Sequence, residues 1–213
     1  MIKSIFFDFD GVIVDSFDTY YNMCSSLGKK YGTPITTKDS FRDLFNGNFY
    51  DMLLKRYPEL DRNTAFFSEM RDLLMQNSSK PRLFKDIKSQ IKRLSKKYIL
   101  FIVSSNTTAS VEKNLESNSL DITLFKEIFG ADKGVSKIDK LNLAFNRYSI
   151  NKEEVIFITD TLGDIKECKA IGIKCIAVTW GFQKRKTIAK GKPFKILSSQ
   201  KEMGNIPDLV RKL

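Results

Sequence analysis

The chain's 213 residues are 42% hydrophobic and 29% charged, ordinary for a globular domain, and no apolar run approaches the roughly 18–20 residues of a membrane span. Its 36 basic and 25 acidic residues give a net charge of +11 with no histidine, so any acid/base step must fall to a carboxylate, lysine, tyrosine, cysteine or metal-bound water. Cys24, Cys168 and Cys175 are odd in number and widely spaced, which argues against a disulfide framework or a zinc site; with an N-terminus too short in apolar residues for a secretory signal, they point to the cytoplasm.

In chain order, Ile2 to Asp8 reads as a first strand, a short apolar run that ends in acid. The next stretch breaks any strand–helix alternation. Asp18–Tyr31, Thr37–Phe45, Phe49–Tyr57 and Asn63–Gln76 all carry helical patterns, punctuated by Gly32-Thr33-Pro34 and Asn46-Gly47-Asn48. Residues 17–80 are therefore expected to form an all-helical cap, with the α/β core built from residues 1–16 and 81–213. Residues 80–97 hold Lys80, Arg82, Lys85, Lys88, Lys92, Arg93, Lys96 and Lys97 against Asp86 alone, which reads first as a solvated helix face. Strands follow at Tyr98–Val103, Glu127–Gly130, Val155–Thr159, Lys174–Val178 and Phe194–Leu197. Helices are predicted at Ser110–Ser117, Ile138–Tyr148, Asp164–Ile171 and Gln200–Lys212. A second basic run, Lys184-Arg185-Lys186 with Lys190, Lys192 and Lys195, leads into the last strand. Neither run interleaves aromatic residues as single-strand stacking would require.

Alternating apolar strands and helices predict a Rossmann-like, doubly wound parallel sheet, whose ligands bind beyond the carboxyl ends of the strands. The residues at those ends are Asp8-Phe9-Asp10-Gly11, Ser104-Ser105-Asn106-Thr107-Thr108 and Asp160-Thr161-Leu162-Gly163-Asp164, with Lys133 and Lys137 before the helix of the third unit. Crowded carboxylates raise one another's pKa unless a cation neutralises them, and Mg²⁺ suits one or two carboxylates completed by water and phosphate. In such a set one aspartate attacks phosphorus, a second carboxyl moves the proton, and a lysine with hydroxyl or N–H donors steadies the transferring group.

Asp8-Phe9-Asp10-Gly11-Val12-Ile13-Val14-Asp15-Ser16 resembles the first motif of the haloacid dehalogenase superfamily. Ile102 to Asn106, Lys137, and Asp160 to Asp164 resemble its second, third and fourth motifs, in that order. Ala170 to Ile173 and Ala177 to Phe182 resemble the region after the fourth motif in phosphoglycolate-phosphatase-like members. The resemblance implies that Asp8 is nucleophile and metal ligand, and that Asp10 is general acid/base with its main-chain oxygen on the metal. It implies that Ser104 binds the phosphoryl group with the N–H groups of Ser105 and Asn106, that Lys137 neutralises charge, and that Asp160, supported by Asp164, completes a Mg²⁺ sphere. The chain departs from the family pattern at Thr159, which stands where glycine is usual. It also lacks the Lys-Pro that often marks the third motif, which keeps Lys133 as a rival to Lys137. Tyr20 holds the place where a sugar-phosphate mutase of the family carries histidine.

The reading is a Mg²⁺-dependent phosphatase of small phosphomonoesters, monomeric or a small homo-oligomer, with neither membrane nor nucleic acid as partner. A phosphomutase and a weakly catalytic basic binding protein are the alternatives. Arg42 and the Asn46 to Tyr50 turn are candidate substrate contacts or a plain helix connection. Trp180 and Phe182 read as packing residues, Asp164 and Asp15-Ser16 equally as helix-start chemistry.

Overall fold

The computed structural model describes residues 1–33, 35, 37–61 and 64–211. Pro34 of the predicted punctuation, Asn63 at the head of one predicted helix and Lys212 at the end of another lie outside the described residues.

The strands are β1 (Ser4–Phe7), β2 (Val14–Asp15), β3 (Arg82–Leu83), β4 (Ile99–Val103), β5 (Glu127–Phe129), β6 (Val155–Thr159), β7 (Lys174–Val178) and β8 (Lys195–Leu197). Among the described residues, six of them form one parallel sheet in the order β5-β4-β1-β6-β7-β8, the predicted fold class. Every residue of β1 and β6 is buried, because helices cover both faces. The faces follow the two-residue period of a strand: Ile5, Phe7, Leu100, Ile102, Ile156 and Ile158 enter one apolar cluster, Phe6, Phe101 and Phe157 the other. Helices α5 (Ile87–Leu94), α6 (Thr108–Ser117) and α10 (Ile206–Val210) contribute to the first cluster; α7 (Lys137–Tyr148), α8 (Leu162–Ala170) and α9 (Arg185–Ile188) contribute to the second.

Between β2 and β3 lie α1 (Phe17–Lys30), α2 (Lys38–Asp43), α3 (Phe49–Arg56) and α4 (Thr64–Asn77). Their core gathers Tyr20, Met23, Leu27, Phe41, Leu44, Leu53, Leu60, Phe66 and Met70, and receives Phe182 from the loop after β7. Antiparallel pairing of Val14 with Leu83 and Asp15 with Arg82 brings entry and exit of this helical segment together. No described helix is long and apolar enough to cross a membrane.

Three details differ from the sequence expectation. The hairpin strands β2 and β3, two residues each, carry no periodicity to read. Helix α5 hides in the basic run: Ile87, Ile91 and Leu94 face the core while Lys88, Lys92 and Arg93 are exposed, which is the solvated face expected there. The single C-terminal helix divides into a 3-10 turn at Gln200–Asn205 and α10, because Pro207 lacks an N–H and fits only a first turn.

Candidate active site

The chain runs outward from β1 through β4 to β5, then returns to lay β6 on the other side of β1. This reversal opens a crevice at the carboxyl ends of β1, β4 and β6, and Asp8, Ser104 and Asp160 are the first residues beyond those three strands. Asp8 continues the ladder, donating its N–H to Ile158 O at 2.8 Å, and its Oδ1 accepts the Phe9 N–H at 2.7 Å. The chain then turns sharply. Gly11, at φ 73°, donates its N–H to Val14 O. A Cβ on Gly11 would lie 2.0 Å from Asp160 Oδ2, so only glycine lets the turn close over that carboxylate. Asp160 Oδ2 accepts the Phe182 N–H at 2.6 Å.

Lys137 is the first residue of α7, fixed by a capping box in which Ser136 and Asp139 satisfy each other's backbone N–H. Its own N–H donates to Glu167 Oε2 at 3.0 Å. Its Nζ lies 2.6 Å from Asp8 Oδ2 and 2.6 Å from Asp164 Oδ2, bridging the two carboxylates in a buried site. The rival Lys133 is exposed in the 3-10 turn Ala131–Lys133. Asp164 also accepts the Thr159 hydroxyl at 2.5 Å, so the threonine at the usual glycine position ties this carboxylate down. The N-cap of α8 is Thr161, whose hydroxyl accepts the Asp164 N–H; Asp164 itself sits in the first turn. Asp15 is exposed on β2, and Ser16 occupies the N-cap position of α1 without a side-chain cap bond.

Asn106 donates one amide to both Asp10 Oδ2, at 2.7 Å, and the Tyr20 hydroxyl, at 2.8 Å. Ser104 is fully buried, and its Oγ accepts the Asn106 N–H at 3.0 Å. Ser105, rather than Ser104, lines the cavity in front of Asp8. That cavity, about 100 Å³, is walled on the sheet side by Asp8, Asp10, Ser105, Asn106, Lys137, Thr161 and Asp164. Gly47, Phe49 and Tyr50 of the predicted turn reach it. Arg42 does not line it: its guanidinium bonds Phe182 O and Asp39 and stacks over Phe17. Trp180 packs beside the first cluster and donates its indole N–H to Val12 O.

The charges follow from burial. Burial pushes Asp8 well above the ordinary carboxylate range; Lys137 pulls it back, and Asp164 and Asp160 add to the rise. Burial likewise pushes Asp10 up to about 6, restrained by the nearby Ser16 and Tyr20 hydroxyls, and Asp160 up to about 7. For Asp164 burial opposes charge too, but Lys137 and the Thr159 hydroxyl more than offset it and hold its pKa low. Burial also opposes the charge on Lys137, yet Asp164 and Asp8 hold its pKa above the usual lysine range.

Four carboxylates against one bridging ammonium leave a deficit of positive charge. Asp10 Oδ1 and Asp160 Oδ1 are buried with no hydrogen-bond partner. Among the described residues no three His, Cys, Asp or Glu side chains form a metal cluster. The unpartnered Asp160 and Asp10 oxygens, with Asp8 beside them, instead fit a small hard cation that completes its sphere from water and substrate.

Two contributors escaped the sequence reading. Lys140, one turn beyond Lys137, is buried and donates its ammonium to Ser104 O at 2.7 Å, anchoring the end of β4. Burial, then the Lys137 charge, lowers its pKa to about 8. The i, i+3 spacing of two lysines on one helix face was the available signal. Gln183 accepts the Leu162 N–H and donates to Arg42 O and Asn46 Oδ1, joining α8 to the helical segment. Nothing local marks that role.

The fold and site define an α/β protein with an acidic, lysine-bridged cluster at the switch point of its sheet. Residues 5–178 match the family of haloacid dehalogenase-like hydrolases, and the chain belongs to that family. Phosphoglycolate phosphatase of Photorhabdus laumondii is 25% identical over 211 residues, covering 93% of this chain and 89% of its own. Among solved structures, a predicted phosphatase from Clostridium acetobutylicum superposes with TM-score 0.85 at 20% identity, covering both chains fully. A haloacid dehalogenase-like hydrolase from Streptococcus pneumoniae superposes with TM-score 0.80 at 22% identity, over 100% of this chain and 99% of its own. Both structural likenesses are likenesses of fold.

Proposed function

We propose that the chain is a Mg²⁺-dependent phosphatase that hydrolyses small phosphomonoesters through an aspartyl-phosphate on Asp8, with the helical segment of residues 17–80 acting as a cap over the core. The observation that carries the reading is Asp8 itself: buried at the end of the central strand, 2.6 Å from the Lys137 ammonium, and facing a cavity shared with Asp10.

In the first step an Asp8 carboxylate oxygen attacks phosphorus, and the ester oxygen leaves with the proton of the Asp10 carboxyl. In the second, the Asp10 carboxylate takes a proton from water as that water attacks phosphorus, which releases phosphate and restores Asp8. A pKa near 6 lets Asp10 hold a proton in one step and accept one in the next at near-neutral pH. Lys137 offsets charge on Asp8 and on the phosphoryl oxygens, and Asp164 and Thr159 hold it in place. Ser105, which lines the cavity, would receive a phosphoryl oxygen, while Asn106 orients Asp10. Asp8, Asp160 and the Asp10 main-chain oxygen would hold Mg²⁺, with Asp164 beside them. When bound, the ion supplies positive charge to the carboxylates and to the phosphoryl group. The names of the curated relatives support the phosphatase reading.

The test is hydrolysis of a panel of small phosphate esters with Mg²⁺, with EDTA, and in Asp8→Asn. Mg²⁺-dependent turnover, lowered at least about 10³-fold in the variant, is expected. Equal rates in wild type and variant would contradict the nucleophile assignment.

A further inference from the structure

The two walls of the cavity differ in kind. The sheet side holds Asp8, Asp10, Asp164 and Lys137, and Lys137 is already committed between two carboxylates. The wall contributed by the helices and the Phe182 loop includes Met23, Phe41, Phe45, Phe49, Met70 and Leu74. Its polar groups are few: the hydroxyls of Tyr20 and Tyr50, the Cys24 thiol and the Gly47 backbone. Burial raises the pKa of both tyrosines and pushes Cys24 up to about 12, so all three are neutral at physiological pH.

Four cations of the helical segment are engaged elsewhere, and Lys29 and Lys55 are exposed and stand outside the lining. Lys30 pairs with Glu69, Lys38 with Asp18, and Arg56 bonds Ser40. Arg42 is held by Phe182 O and Asp39. Arg71, which bears electrostatically on Tyr50, is exposed and stands outside the lining. Among the described residues, therefore, no cation of the helical wall reaches the cavity.

This distribution bears on the alcohol half of the ester. A carboxylate or second phosphate placed against the helical wall would lose its water without gaining a partner, and would also face the acidic sheet edge. An alkyl or aryl group there would instead bury apolar surface against thioethers and ring faces. The cavity of about 100 Å³ sits below the roughly 150 Å³ that houses benzene, which sets the scale at a short chain.

We infer that the site takes phosphomonoesters of uncharged, predominantly apolar alcohols, and discriminates against esters whose alcohol carries an anion, such as 2-phosphoglycolate. The inference rests on the phosphatase reading and specifies its substrate class.

The test compares n-propyl and n-butyl phosphate with 2-phosphoglycolate, all small alkyl monoesters, so that the ratio of kcat/KM reads the helical wall. The wild type is expected to favour the alkyl esters by at least about tenfold, the equivalent of one ordinary unpaired interaction. Leu74→Lys, at a half-buried position of α4, is expected to move the ratio toward 2-phosphoglycolate by bringing an ammonium to the wall. A wild type that handles 2-phosphoglycolate as well as or better than the alkyl esters, with Asp8→Asn inactive on both, overturns the specificity while leaving the phosphatase intact. An unmoved ratio in a folded, active Leu74→Lys protein would also count against it. No turnover of any ester, with wild type matching Asp8→Asn, overturns both.

Discussion

The sheet edge and the helical wall that faces it are built by opposite means. At the edge, each functional side chain is held by backbone geometry: Asp8 by a strand end, Asp160 by a glycine turn, Lys137 by a capping box. The carboxylates there are held by an ammonium, a hydroxyl and an amide at 2.5 to 2.7 Å. The described residues of the helical wall meet mainly through rings. Phe41 meets Phe17, Phe45, Phe49 and Phe182 with ring centroids 5.2 to 6.4 Å apart, contacts that are individually weak and geometrically tolerant. The contrast separates tasks. The edge leaves little freedom in residue type, because an unpaired buried charge is costly, whereas an apolar wall can be repacked with little effect on the chemistry opposite.

If that contrast is sound, the largest effect belongs to the edge. Lys137→Met would leave Asp8 and Asp164 buried without their cation, and is expected to cost about 3–5 kcal/mol in denaturant unfolding as well as most of the activity. A loss below about 1 kcal/mol would break the account of the edge. Phe41→Ala on the other wall is expected to cost about 3 kcal/mol through its cavity, yet to act on KM more than on kcat. A fall confined to kcat would show that the two walls are not separable.

The smallest effect sharpens the electrostatics. In metal-free protein Asp8, Asp10 and Asp160 hold protons that the unfolded chain has released, since their folded pKa values are raised. The folded state then binds more protons between about pH 4 and 7, so stability falls as pH rises through that window. Lys137, held up, and Asp164, held down, titrate outside it. The expected loss is at least about 1 kcal/mol across the window in EDTA, and Mg²⁺ should flatten it. Melting temperatures that climb with pH in EDTA would reverse the assignment of buried, mutually repelling carboxylates.

What could be read from sequence divides along the same line. Asp8, Asp10, Ser104, Asp160 and Lys137 sit where a strand ends or a helix begins, so chain order alone placed them near one another. The strands of the parallel sheet were legible because burial on both faces makes them continuous apolar runs. The engagement of Asp164 with Thr159, the anchoring of Ser104 by Lys140 and the Gln183 bridge were not, since each joins elements through side-chain geometry that no local pattern encodes. The cavity wall was equally hidden. Met23, Phe41, Phe45 and Met70 come from three helices and the short 3-10 turn at Leu44–Asn46, and read in sequence as ordinary core residues. Arg42, a candidate contact by position in the chain, turns out to brace the Phe182 loop.

The central claim is that Asp8 carries the phosphoryl group, and the most direct measurement is an acid-quenched single turnover followed by peptide mass spectrometry. The mass of one phosphoryl group is expected on the peptide containing Asp8, absent in Asp8→Asn. A phosphoryl group found on another residue, or single-turnover hydrolysis undiminished in Asp8→Asn, would contradict it.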